Sequence, residues 1–244
     1  MEHSASTVEK ALDLLFHLHD GNEPQGVSAI SRQMGIPKSS AHRLLAALNR
    51  KGMVERDSRG RYQPGAGLVA LGLGVLDRDP LVTCSRAALR AAVTDVGETF
   101  FVVAERNANL CVLDKCEGPG LLRAAPHIGS TVPVHCTAVG RLYLAHCPEQ
   151  FTCGDIAEAA DVDVQHLTER VGIAKARGWD SNIEEWQSGL SVIAAPILVR
   201  GTLRGAVALG ASSSRLTALG GTRLHVKVVE TAQVIGARLA GERL

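Results

Sequence analysis

Apolar residues in the first third of the chain recur three and four positions apart, in short blocks separated by turn-forming residues. Val8, Ala11, Leu12, Leu14, Leu15 and Leu18 form one such stripe behind Ser6 or Thr7, side chains suited to capping the start of a helix. The run DGNEPQG at 20–26 ends it. Residues 27–34 then read as a short second helix, with Ala29, Ile30 and Met34 turned towards the first, and Gly35 permits a tight turn. Pro37 suits the beginning of a third helix, where its missing N–H costs little. Ala41, Leu44, Leu45 and Leu48 give that helix a core side and leave Lys38, Ser39, Ser40, His42, Arg43 and Asn49 for its other faces. After Gly52, the strand-like stretches MVERD and RYQPG flank the polar turn Ser58-Arg59-Gly60.

Beyond this hairpin the pattern changes. A connector opens at Gly65-Ala66-Gly67, and its Leu68, Leu71, Leu73, Val75 and Leu76 are apolar enough to pack against another surface, either within the chain or on a second copy. Its glycines lower its helix propensity. Pro80 restarts a helix to about Val96, with Leu81, Ala88, Leu89, Ala92 and Val96 along one side. Segments 99–105 and 110–115 predict an antiparallel hairpin about residues 106–109, and 121–125 offers a third strand. A loop, Gly129-Ser130-Thr131-Val132-Pro133, leads through His135-Cys136-Thr137 into a helix carrying Ala138, Val139, Leu142 and Leu144. A helix at 163–177, two apolar strands at 191–199 and 203–211, and a last helix at 221–239 complete the chain. The order predicts an α+β body, an antiparallel sheet of five or six strands with flanking helices. The implied divisions are a head at 1–65, a linker helix at 66–79 and a body at 80–244.

Composition narrows the function. The chain has 244 residues, too many for one small domain, and aromatics make up only 3%, so its cores must be built from Leu, Val, Ala and Ile. No apolar run reaches the roughly 20 residues of a membrane helix, and the N-terminus lacks a signal-peptide pattern. A cytoplasmic protein is expected. Its net charge is +1, yet the stretch from Arg32 to Arg61 holds eight Lys or Arg against Glu55 and Asp57. A compact positive surplus on a helix–turn–helix pattern suits duplex DNA. Lys38, Ser39, Ser40, His42 and Arg43, near the start of the third helix, are placed to read bases or clamp phosphates, with Arg56, Arg59 and Arg61 approaching from the hairpin. Which of them does which stays open, and any one arginine is as readily an idle surface charge.

The body shows no phosphate loop, GxGxxG, GxSxG or HExxH, so neither a cofactor nor catalysis is expected. Its six cysteines, with no secretion signal, predict thiols rather than disulfides, and Cys147 and Cys153 near His146 lack a zinc-finger spacing. Neighbours such as His135 and Cys136 point apart and make a poor nucleophile–base pair. A helix starting at Thr137 presents backbone N–H groups that favour an anion such as a carboxylate. Thr137, His135 and Asn182 are candidate donors, and Leu121, Val139, Leu190 and Val192 form either the wall of a metabolite pocket or simply core.

Several segments together carry a family resemblance: 36–45 (IPKSSAHRLL), 62–65 (YQPG), 129–141 (GSTVPVHCTAVGR) and 189–197 (GLSVIAAPI). Over essentially its whole length the chain resembles the IclR-type bacterial transcriptional regulators. The resemblance implies a winged helix-turn-helix head, a linker helix and a GAF-like effector domain. It also implies a repressor or activator of small-molecule catabolic genes that partners a double-stranded DNA operator and works as a dimer or dimer of dimers. A small organic acid or aromatic effector would bind a pocket at Leu121, Ala124, Ala138, Val139, Asn182, Leu190 and Val192. Three positions depart from the family pattern: Asn182 replaces an acidic residue, Val192 a cysteine and Arg141 a lysine. The first two make the pocket less charged and more apolar.

Overall fold

Contacts within the computed structural model, which describes residues 6–21, 23–119, 126–218 and 221–241, separate two units, Met1–Val75 and Leu76–Leu244. In the first unit, α1 (Thr7–Asp20) begins at a reciprocal cap. Ser6 Oγ accepts the Glu9 N–H at 3.2 Å, and the Glu9 carboxylate accepts the Ser6 N–H. Helices α2 (Val27–Gln33) and α3 (Lys38–Arg50) are joined by a turn in which Gly35 takes φ +65°, a left-handed conformation that suits glycine. Ser31 holds that turn by accepting the Ile36 N–H at its carbonyl (3.1 Å) and donating its hydroxyl to the Ile36 carbonyl (2.6 Å). Strands β1 (Val54–Arg56) and β2 (Tyr62–Pro64) form the expected hairpin, with Glu55 opposite Gln63. Tyr62 also pairs with Gln25 through two backbone hydrogen bonds of 2.7 and 2.8 Å. Leu14, Leu18, Ile30, Leu45, Val54 and Tyr62 make the core of this unit.

Helix α4 (Ala66–Leu76) is apolar on every side and buries none of its residues; Val69, Leu71, Leu73 and Val75 are all more than half exposed. Leu68 and Leu76 are half-buried, and Leu76 packs against the core of the second unit, to which it belongs.

The second unit opens with α5 (Pro80–Val96), whose first N–H groups donate to Asp79. The expected hairpin follows as β3 (Thr99–Arg106) and β4 (Asn109–Cys116), closed by Asn107-Ala108, both at positive φ, as a two-residue turn requires. Then come β5 (Thr131–Val132), α6 (Ala138–His146), α7 (Cys153–Ala160), α8 (Val164–Arg177), β6 (Asp180–Ile183), β7 (Leu190–Val199), β8 (Thr202–Ser212), α9 (Ser213–Ala218) and α10 (Gly221–Leu239). Six strands pair antiparallel in the order β5-β4-β3-β8-β7-β6. The strand anticipated at 121–125 lies outside the described residues. Conversely β5, β6, α7 and α9 were not anticipated: each is short and carries little periodic signal.

Each face of the sheet has its own core. Along β7 the side chains alternate: Leu190, Val192 and Ala194 join the cluster built with α6 and α8, while Ile193, Ala195 and Ile197 join the cluster built with α5 and α10. This near-continuous apolar run therefore marks a strand covered on both faces.

Candidate functional site

In the first unit, the start of α3 faces solvent. Pro37 precedes it, no side chain caps it, and Lys38 and Ser39 are exposed there. Ala41 and Leu45 are fully buried on the core side, which leaves His42, Arg43, Asn49 and Arg50 exposed on the opposite one. Ser40, half-buried, lines with His42, Arg43 and Arg50 a groove of about 470 Å³ that also reaches Lys10 of α1. Lys10 and Arg50 thus join the basic residues anticipated here, at a place that only the packing of α1 on α3 creates.

The three hairpin arginines differ. Arg59 is exposed at the turn. Arg56 donates to the Tyr62 hydroxyl and stacks 4.6 Å from the centre of that ring, which orients its guanidinium at the surface. Arg61 pairs with Asp57 at 2.8 Å. Asp57 also accepts the backbone N–H groups of Arg59 and Arg61, and the hydrogen bonds from Arg61 hold its carboxyl below the usual carboxylate range. Arg61 therefore shapes the turn, while Arg59 projects from it.

In the second unit, the start of α6 is buried. Thr137 caps it: its hydroxyl accepts the Gly140 N–H at 3.0 Å and donates to the Pro133 carbonyl at 2.5 Å. A side chain at Gly140 would collide with the backbone of Val134, so the helix can begin this close to the preceding segment only at a glycine. Asn182, on β6 and 1% exposed, accepts the Ala138 N–H on its Oδ1 at 3.1 Å. Its Nδ2 is buried with no hydrogen-bond partner. Two N–H groups counted on as free are thus already engaged by protein side chains. Ala138, Val139, Leu190 and Val192 are buried in one cluster, with Val192 opposite Asn182 in the β6–β7 register. The structure so brings together Thr137, Ala138, Val139, Asn182, Leu190 and Val192; His135, the other anticipated donor, lines a different cleft, and Leu121 and Ala124 lie outside the described residues.

One turn further along α6, Arg141 is 2% exposed. It donates to Asp180 at 2.5 Å, to Glu185 at 2.7 Å and to the Ser181 carbonyl at 3.0 Å. Arg170 of α8 joins the same Glu185 and the same carbonyl, each at 3.2 Å. Residue reading missed this hub. The available signal was a lone cation in the middle of an otherwise apolar helix, which needs a carboxylate beside it when it is buried. A separate cleft of about 180 Å³ beside the hub holds His135, Cys136 and His166. Burial, and then the nearby Glu185 carboxylate, push the Cys136 thiol up, the wrong direction for a nucleophile. Among the described residues no cluster of three or more His, Cys, Asp or Glu is placed to hold a metal ion.

Two family models match this chain. The IclR helix-turn-helix domain covers residues 7–58, and the bacterial transcriptional regulator IclR C-terminal domain covers 73–237. The chain belongs to the IclR family of bacterial transcriptional regulators. As a member it is a ligand-responsive, DNA-binding regulator and not an enzyme. Over the full length of both chains it is 29% identical to the glycerol operon regulatory protein of Streptomyces coelicolor. It is 24% identical to the acetate operon repressor of Salmonella typhimurium, across 97% of this chain and 91% of that one. An IclR homologue from Microbacterium hydrocarbonoxydans, solved in complex with 4-hydroxybenzoate, shares its fold with a TM-score of 0.81 at 18% identity, covering 97% of this chain and all of that one. Within the family frame, the uncapped start of α3 lies in the helix-turn-helix match and the start of α6 in the C-terminal match. No helix of the described residues is long and apolar enough to cross a membrane.

Proposed function

We propose that this IclR-family member is a cytoplasmic repressor of a small-molecule catabolic operon, released from or retained on its operator by a small organic acid or aromatic effector. The observation that carries the DNA half is the exposed, uncapped start of α3 beside Lys38, Ser39, His42 and Arg43. Backbone N–H groups and cations that converge on solvent suit phosphates, and the first turns of the second helix of such a motif reach base edges. Arg56 and Arg59, on a wing formed by β1 and β2, add phosphate contacts. In this reading residues 1–65 are the winged head, 66–79 the linker helix and 80–244 a GAF-like effector domain. The repressor sense follows the similarity to the acetate operon repressor, and the catabolic setting the similarity to regulators of the acetate and glycerol operons.

The working unit is a dimer or a dimer of dimers. Helix α4 is apolar all round without burying a residue, and α1 exposes Val8, Leu12 and Phe16 at four-residue spacing. Helices of that character are stable in water when a partner covers them, and a second copy of the head supplies one. Effector binding at the start of α6, near Thr137, Ala138, Val139, Asn182, Leu190 and Val192, favours one of two arrangements of the dimer and so changes operator affinity.

Footprinting on the DNA upstream of the protein's own gene tests this. Protection of a palindrome that weakens steeply with salt and shifts with a small acid is expected. Absence of protection at low salt would overturn the proposal.

A further inference from the structure

We infer that Gly65 and Gly67 are positioning residues for DNA reading: they seat the first turn of α4 against the end of α3, so that α3 turns with α4 and not independently of it. This rests on the DNA reading above and adds to it how α3 is held. One residue, Gly65, separates the end of β2 at Pro64 from the start of α4 at Ala66. On the other side of the joint, α3 is closed by Gly52 at φ +69°. The Gly52 N–H donates to the Asn49 carbonyl at 3.0 Å, and the Met53 N–H to that of Leu48 at 2.9 Å. Those paired hydrogen bonds are the ones that end a helix on a left-handed glycine.

The two ends are joined backbone to backbone. Gly65 donates its N–H to the Met53 carbonyl and Gly67 to the Gly52 carbonyl, each at 2.9 Å. The second bond gives one of the N–H groups left over at the start of α4 an acceptor at the end of α3. No side chain fits between them. A Cβ at position 65 would stand 2.4 Å from the Gly52 oxygen; one at position 67 would stand 2.8 Å from that oxygen and 3.2 Å from that of Lys51. These are backbone atoms, so a side chain is admitted only if the two helix ends move apart. Gly72, in the middle of α4, has open space where a side chain would stand, so the close approach belongs to the joint and not to the whole helix. Helix α3 is tied to the remainder of the head through Leu45, which packs with Leu14 and Ile30. A swing of α4 is therefore carried into the head with no side chain in between to absorb it. In the proposed dimer, heads held this way present their third helices at a set separation, as a palindrome requires.

The test uses the full-length protein and two duplexes of equal length, the fragment upstream of its own gene and one of random sequence. Binding to random sequence needs only the cationic surface, whereas operator binding also needs both third helices in register with their half-sites. Gly67→Ala is expected to weaken binding to the upstream fragment roughly ten-fold or more, and to leave binding to the random duplex within about two-fold. Loss of head stability alone would weaken both alike. Amide exchange in the wild type is followed at Gly65 and Gly67. Both are expected to exchange at least about ten-fold slower than an unprotected amide, and this measurement decides should the variant not fold. Equal loss on both duplexes, no loss on either, or exchange of the two amides at the unprotected rate overturns the joint and leaves the DNA reading intact. If the wild type binds the upstream fragment no better than the random duplex, the operator reading itself falls, and the role of the two glycines falls with it.

Discussion

Helices α3 and α6 begin in opposite ways. The first turn of α3 follows a proline, has no side-chain cap and stands in solvent beside Lys38 and Ser39. The first turn of α6 is buried, capped by Thr137, covered by Asn182 and backed by a charged hub at Arg141. The backbone problem is the same in both, N–H groups with no carbonyl one turn earlier. Water satisfies them at α3, so an incoming phosphate displaces only solvent. At α6 the protein has to satisfy them itself, and the donors it leaves over are few and directional. An exposed helix start thus suits a large, variable polyanion, and a buried one suits a small ligand of defined polarity.

The sharpest way to break this contrast is at the buried end. Replacing Arg141 by Met leaves Asp180, 3% exposed, without its cation. A loss of about 3–5 kcal/mol in the stability of the second unit is expected from chemical denaturation. A loss below about 1 kcal/mol would mean that the hub is not a buried ion pair in solution. Thr137→Val tests the cap together with the hydroxyl's bond to the Pro133 carbonyl. It keeps the shape and removes the hydroxyl that accepts the Gly140 N–H, so a loss of about 1 kcal/mol, and at most about 2, is expected by the same measurement. Lys38→Ala probes the exposed end. With no cap to lose, stability is expected to stay within about 0.5 kcal/mol. Operator affinity is expected to fall, and the slope of its logarithm against that of salt concentration to drop by about 0.9, the value for one lost phosphate contact. An unchanged slope would assign Lys38 to the surface and not to the DNA.

The head was legible because its signals are local. Ser6 and Glu9 are one turn apart, Gly35 and Pro37 punctuate the chain, and the stripe at Ala41, Leu45 and Leu48 repeats at the helical period. Asn107-Ala108 shows the same economy in the body, where a two-residue turn sets the register of the hairpin as far as the shift between Val102 and Val103. The residues proposed for the effector were legible only as a list. Its apolar residues read equally well as core, and in the structure Ala138, Val139, Leu190 and Val192 belong to the core cluster on the α6 face of the sheet.

What one chain of letters settled, then, was the order of helices and strands, the basic character of the third helix and the place where a turn must fall. Each depends on residues within a few positions of one another, where backbone geometry and helical period act directly. Tertiary structure alone decided that Arg141 is buried against Asp180 with the more exposed Glu185 as a second partner, and that the amide of Asn182 faces Ala138 with its oxygen. Those outcomes come from groups about 40 residues apart that meet only when β6 docks on α6, and no spacing in the sequence encodes which end of an amide points inward.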